Sequence, residues 1–171
     1  MPKPLRLRIQ ENLSDVIGTV VNHPDSPYSY VLAGNVFRGR VLFGDNDPDA
    51  MACILEVPLP EEQFAGPGES TQTRGQWQLL IQGFVEDDRE NPTDPAHWMM
   101  ADVKVALAKE REKRRNLSDP TQGILGLGQH VLDLRIGAGV CRPPDELSAK
   151  AYFWLAVTLD LSEDLVNPYE D

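Results

Sequence analysis

The sequence predicts an α+β fold, a mostly antiparallel open sheet with two amphipathic helices packed on one face. Three observations predict it. Two segments repeat apolar residues at helical spacing, and two others alternate apolar and polar residues with a period of two. The helical segments do not alternate regularly with the strands, as βαβ units would. The segments between them are rich in Gly, Pro and Asp, with no inner boundary and no repeat, so residues 1–171 read as a single domain.

Leu5, Ile9, Leu13, Val16 and Val20 form the first helical stripe, with Arg6, Arg8, Glu11, Asn12 and Asp15 between them, so a helix is expected over about residues 4–18, stopping at Gly18. His23-Pro24-Asp25-Ser26-Pro27 reads as a loop. Short strands are expected near Tyr30–Leu32, at Asn35–Leu42 and, after an acidic turn, at Ala52–Val57. Residues 58–75 are rich in Pro, Gly, Glu, Ser and Thr and read as one long mobile loop, ordered only on assembly. Trp77, Leu79, Ile81 and Val85 then alternate with Gln76, Gln78 and Gln82, the clearest strand.

Asp94-Pro95 is a helix start, Asp94 as cap and Pro95 at the first helical position. Met99, Met100, Val103 and Leu107 are the buried stripe of that helix, and the cations of Lys109–Arg115 suit its C-terminus. A Gly-rich loop, Gly123–Gly128, leads to a strand with Leu132, Leu134 and Ile136 expected on one side. The last strand puts Ala151, Phe153, Leu155, Val157, Leu159 and Leu161 on one face, and the acidic tail 163–171 is expected to fray.

Composition narrows the function classes. The formal net charge is −11, and residues 41–100 alone hold two Lys/Arg against twelve Asp/Glu. A tight grip on DNA or RNA needs a basic face, so nucleic-acid binding is disfavoured, although an acidic wall suits a passage through which DNA slides without sticking. No window reaches the roughly 18 uninterrupted apolar residues of a membrane helix. The N-terminus lacks the apolar core of a signal peptide. Cys53 and Cys141 lie in apolar runs and read as buried free thiols of a reducing compartment.

The chemical motifs favour structural readings. Counting from Asp45, carboxylates at Asp45, Asp47, Asp49 and Glu56 fall at calcium-loop spacing. However, Ala50 stands where the sharp turn wants Gly, Pro48 intrudes, and the flanks read as strands, so a polar turn is expected. Gly123, Gly126 and Gly128 lack the Lys-Ser/Thr of a phosphate loop and precede a strand. His23, His97 and His130 show no metal-ligand spacing, and no G-x-S-x-G elbow is present. Glu86-Asp87-Asp88 reads as a solvated strand end. No catalytic residue, cofactor site or metal site is assigned, and the chain is read as a protein-binding component, not an enzyme.

Several segments taken together resemble a known family. They are Val36-Phe37-Arg38-Gly39-Arg40 before an acidic turn, the strand Trp77–Val85 with its acidic end, and Asn91–His97 opening the second helix. Ile136-Gly137-x-Gly139-Val140, Arg142-Pro143-Pro144-Asp145-Glu146 and Lys150-Ala151-Tyr152-Phe153-Trp154 complete the set. In element order, over roughly residues 5–165, the chain resembles the tail terminator (tail completion, minor tail) proteins of tailed bacteriophages and prophages. The resemblance implies an α+β virion subunit, assembled in the host cytoplasm, that forms a hexameric ring at the neck. Such a ring caps the tail tube, stops its polymerisation and presents a joining surface to head-completion or connector proteins. DNA passes through its hole without specific binding.

On that reading Asp45, Asp47, Asp49, Glu86, Asp87 and Asp88 are the channel-lining candidates, expected to be exposed, and Glu61, Glu62, Gln63, Phe64 and Arg74 are the interface-loop candidates. Two alternatives stay open. One is another neck, connector or tail-tube-like component. The other is a small metal-dependent enzyme built on Asp45, Asp47, Asp49 and Glu56.

Overall fold

A computed structural model of the chain describes residues 1–44, 46–57, 63–64, 71–116 and 122–169. The fold is α+β: one mixed, mostly antiparallel sheet with two helices on one face. Helix α1 spans Leu5–Gly18, β1 Val36–Arg38, β2 Met51–Glu56, β3 Gln63–Phe64 and β4 Gln72–Val85. Helix α2 spans Asp94–Glu112, β5 Val131–Arg142 and β6 Ala151–Asp164. The strand order is β1-β2-β4-β6-β5, and β3 lies against the first part of β4. Among the described residues only the β1–β2 pair is parallel.

The helices form where the stripes predict them. α1 buries Leu5, Ile9, Leu13 and Ile17, one residue per turn on one line, with Val16 at its flank. α2 buries Met99, Met100, Val103 and Leu107 as expected. It begins one residue early, with Thr93 as its unassisted cap and Asp94 in the first turn, where a carboxylate favours the helix dipole. Both stripes close on the odd-numbered residues of β4 and β6, Trp77, Leu79, Ile81, Phe153, Leu155, Val157 and Leu159, all almost fully buried. Gly83 lies in the same row. It leaves room for the ring of Phe153, its cross-strand partner.

Several expectations need correction. Tyr30–Leu32 makes a single bridge, Val21 to Val31, and no strand. The expected strand 35–42 shrinks to Val36–Arg38, after which residues 40–44 have no regular structure. The loop expected over 58–75 already gives way to strand at Gln72, and Gln63–Phe64 pairs with Thr73 and Arg74. Residues 58–62 and 65–70 lie outside the described residues, while the Thr71 hydroxyl donates to Asp164 at 2.8 Å. Leu132 does not share a side with Leu134. A bulge between Val131 and Asp133 inserts a residue, so Val131 and Leu134 are buried while Leu132 faces out. The tail does not fray at residue 163. β6 runs to Asp164, and the Pro168 carbonyl accepts the Leu5 amide at 3.1 Å, tying the tail to the start of α1.

The second face of the sheet is partly covered as well. Phe43 packs on Phe84 with ring centres 4.6 Å apart, Phe84 on Tyr152 at 5.9 Å, and Tyr152 on Trp154 at 5.6 Å. The Arg40 guanidinium lies over the rings of Phe37 and Phe43. Cys53 and Cys141 are free thiols on β2 and β5, with β4 and β6 between them. Burial pushes both thiols up, Cys141 to about 11.

Candidate functional site

Register brings three turns to one end of the sheet. Met51 pairs with Phe84, Val85 with Ala151, and Arg142 with Tyr152. The turn before β2, the turn after β4 and the turn between β5 and β6 therefore emerge side by side. Lys150 ties two of them together: its Nζ donates to the Pro48 carbonyl at 2.7 Å and stands 3.7 Å from Asp49. Asp49 and Glu86, 37 residues apart in sequence, come to the same end of the sheet through the pairing of Met51 with Phe84.

The six acidic candidates do not play one role. The side chain of Asp49 is 92% exposed, and Glu86 and Asp87 are exposed beside it. Asp47 is different. Its side chain is only 10% exposed; it accepts the Gly44 amide at 2.6 Å and pairs with the Arg40 guanidinium. The Gly44 amide first, then Arg40, hold its carboxyl below the usual range. The expectation that Asp47 faces solvent is therefore corrected: it staples the turn. Asp88 is also a turn residue. It accepts the amides of Glu90 and Asn91, both at 2.8 Å, and the Tyr28 hydroxyl at 3.1 Å. The Asn91 and Glu90 amides depress its carboxyl most. Asp45 lies outside the described residues.

The calcium-loop spacing does not become a calcium geometry. Glu56 sits at the far end of β2 from Asp49, roughly 16 Å along the strand, and its Oε1 accepts the Gln10 amide at 2.7 Å. Among the described residues no group of three His, Cys, Asp or Glu could hold a metal ion.

The interface-loop candidates lie at the opposite end. Arg74 is exposed on the first part of β4, paired with Gln63 of β3, and Phe64 pairs with Thr73. Glu61 and Glu62 lie outside the described residues. β4 is 14 residues long, so about 40 Å separates Arg74 from Glu86.

The Gly-rich loop is a plug. Ile124, Leu125 and Leu127 are buried in the main core. The Leu125 amide donates to the buried Glu110 carboxylate at 2.6 Å, and the Leu125 carbonyl accepts the Asn12 amide at 2.7 Å. The amides of Gly126 and Gly128 bond within the loop, to Gly123 and Gln122. Those amides are occupied and not presented to a phosphate. Leu125 holds a left-handed φ of 56°, a strain that the contacts from both helices sustain.

Sequence reasoning missed the aromatic cluster of the second face. Its signal was present: Tyr152 and Trp154 occupy the alternate positions of β6, and Phe84 does so in β4. Among the described residues no helix is long and apolar enough to cross a membrane. No family model and no curated protein sequence matches the chain.

Proposed function

We propose that the chain is a structural subunit of the tail-terminator type. Its copies form a ring, hexameric in the family it resembles, that caps a tail tube, ends the tube's growth and offers a joining surface to a head-completion or connector protein. The observation that carries the reading is the convergence of acidic turns at one end of a sheet whose two edges lack partners among the described residues. A ring multiplies each exposed carboxylate by its copy number. In a narrow hole such charge repels DNA, because salt screens over only about 8–10 Å at ordinary ionic strength. Asp49, Glu86 and Asp87 are the carboxylates available for that work, since Asp47 and Asp88 are engaged in their own turns.

The test is negative-stain electron microscopy of the purified protein alone and with tail tubes. Closed rings seated at tube tips support the reading. Long filaments favour a tube-like subunit, and tube tips left bare at saturating protein refute the terminator role. For the acidic wall, Glu86→Gln with Asp87→Asn is expected to leave rings intact and slow DNA passage, most visibly at low salt. Unchanged passage at every salt concentration refutes it.

A further inference from the structure

β5 ends the sheet on its side, and no other described segment pairs with its outer edge. Residues 136–141, Ile-Gly-Ala-Gly-Val-Cys, carry no charge, and Val140 is 51% exposed. Soluble proteins usually guard such an edge with charge or proline. Here Pro143 and Pro144 come only after the strand has ended. A bulge between Ile136 and Gly139 bends the edge, and Gly139–Arg142 continues beyond it in step with β6.

Helix α2 runs alongside. Met100, Lys104, Ala108 and Arg111 follow one another along a single line of the helix. That line lies over β5. A Cβ on Gly139 would meet Met100 Sδ at 2.5 Å, and Lys104 stands close enough to Cys141 for its charge to act on the thiol. Ala108, Arg111, Glu112 and Arg114 enclose with Ile136 a cavity of about 270 Å³. Arg111 and Arg114 share one carboxylate, Asp133, at 3.0 and 3.5 Å. Lys104 has no ion pair among the described residues. Lys104, Arg111 and Arg114 against Asp133 and Glu112 leave this margin net positive, in a chain of net charge −11. Unpaired backbone on β5 and spare cations on α2 therefore lie side by side.

We propose that the β5 edge takes an extended acidic segment of another protein as an added strand. The backbone of Gly139–Arg142 pairs with it, and carboxylates on the side facing α2 meet Lys104 and the Arg111–Arg114 cavity. Lys104 and Arg111 are seven residues apart on the helix, about 10 Å. Alternate residues of a strand are about 7 Å apart, so two acids on one face of the added strand reach both cations with a modest splay of their side chains. Backbone pairing supplies affinity, and the cations select the sequence: a basic segment is repelled, and an uncharged one leaves them unmatched. The proposal does not rest on the terminator reading, and none of its readouts involves tube capping.

The probe is a peptide of about ten residues, a long strand's length, alternating Glu with Val. One control carries Lys in place of Glu, and another is methylated on alternate backbone amides. Binding is read by fluorescence anisotropy, and the edge by hydrogen exchange of residues 137–142. The Glu peptide is expected to bind and to slow exchange there, and both controls are expected to fail. Lys104→Glu is expected to weaken the Glu peptide by about three- to tenfold, because one weak surface attraction becomes a repulsion of similar size. Lys109→Glu makes the same charge change on the far side of α2 and is expected to leave binding unchanged. Thermal melts confirm that both variants fold, and the methylated peptide tests the pairing without any variant. A Glu peptide that does not bind overturns the proposal. So does a methylated peptide that binds as well, or equal losses in Lys104→Glu and Lys109→Glu. Protection of residues 137–142 that grows with protein concentration in the absence of peptide would make a second copy the occupant, and overturns it too.

Discussion

Gly83 is where one methyl group tests the register that gathers the acidic turns. A Cβ at this position would lie 2.1 Å from Phe153 Cε1, 2.4 Å from Cζ and 2.8 Å from Met99 Cε. Carbon atoms rest at about 3.5–4.0 Å, so in Gly83→Ala the ring must retreat by roughly 1.5 Å. Phe153 is fully buried and packed among the helix side chains, which leaves it nowhere to go without moving α2. Overpacking of this kind costs about 1–3 kcal/mol. The entropy gained by replacing a strand glycine offsets roughly 0.5–1 kcal/mol of that. A net loss of about 1–2 kcal/mol is expected, a fall in Tm of roughly 3–6 °C for a chain of this size.

Urea unfolding of wild type, Gly83→Ala, Phe153→Leu and the double variant measures it. Removing the ring relieves the clash, so the double variant is expected to be more stable than the sum of the singles by about 1 kcal/mol. A Gly83→Ala change below about 0.5 kcal/mol, or strict additivity, would mean that Phe153 does not lie over Gly83. The β4–β6 register that pairs Val85 with Ala151, and with it the placing of the β5–β6 turn beside Glu86, would then be wrong too.

Asp47→Asn is expected to speed hydrogen exchange of the Gly44 amide, whereas Asp49→Asn leaves it unchanged; equal rates in both would show that Asp47 is no staple. Glu110→Ala orphans the buried Leu125 amide and is expected to cost about 1–3 kcal/mol, with Glu110→Gln, which keeps an acceptor, losing less in the same urea assay. Asp47, Asp88, Asp133, Asp145 and Asp164 all have folded pKa values below their ordinary range. Their stabilisation is therefore complete above the unfolded value near about 3.9 and is lost as pH falls through the folded values. The urea midpoint is expected to be flat above about pH 5 and to drop steadily below about pH 4. A midpoint that rises on acidification would contradict these assignments.

What the sequence determined by itself is local. The apolar stripes beginning Leu5-Ile9-Leu13 and Met99-Val103-Leu107 mark the two helices, because neighbours on a helix face are set by 3.6-residue geometry; packing then chose Ile17 over Val16 for the buried line and left Val20 beyond the end of α1. The odd-numbered apolar residues of β6 face the core because a strand's period is two. The concentration of acid in residues 41–100 was likewise plain. The tertiary structure decided everything that depends on which strand lies beside which. Pairing Met51 with Phe84 and Val85 with Ala151 is what makes Asp49 and Glu86 neighbours. A bulge in β5, invisible as a pattern, turned Leu132 outward. The fold-back of residues 40–44 over Phe84 made Asp47 a partner of Arg40 instead of a free surface charge, and left Val41 and Leu42 in solvent. Registers, bulges and fold-backs are set by the sum of many distant contacts, so no short window of sequence contains them.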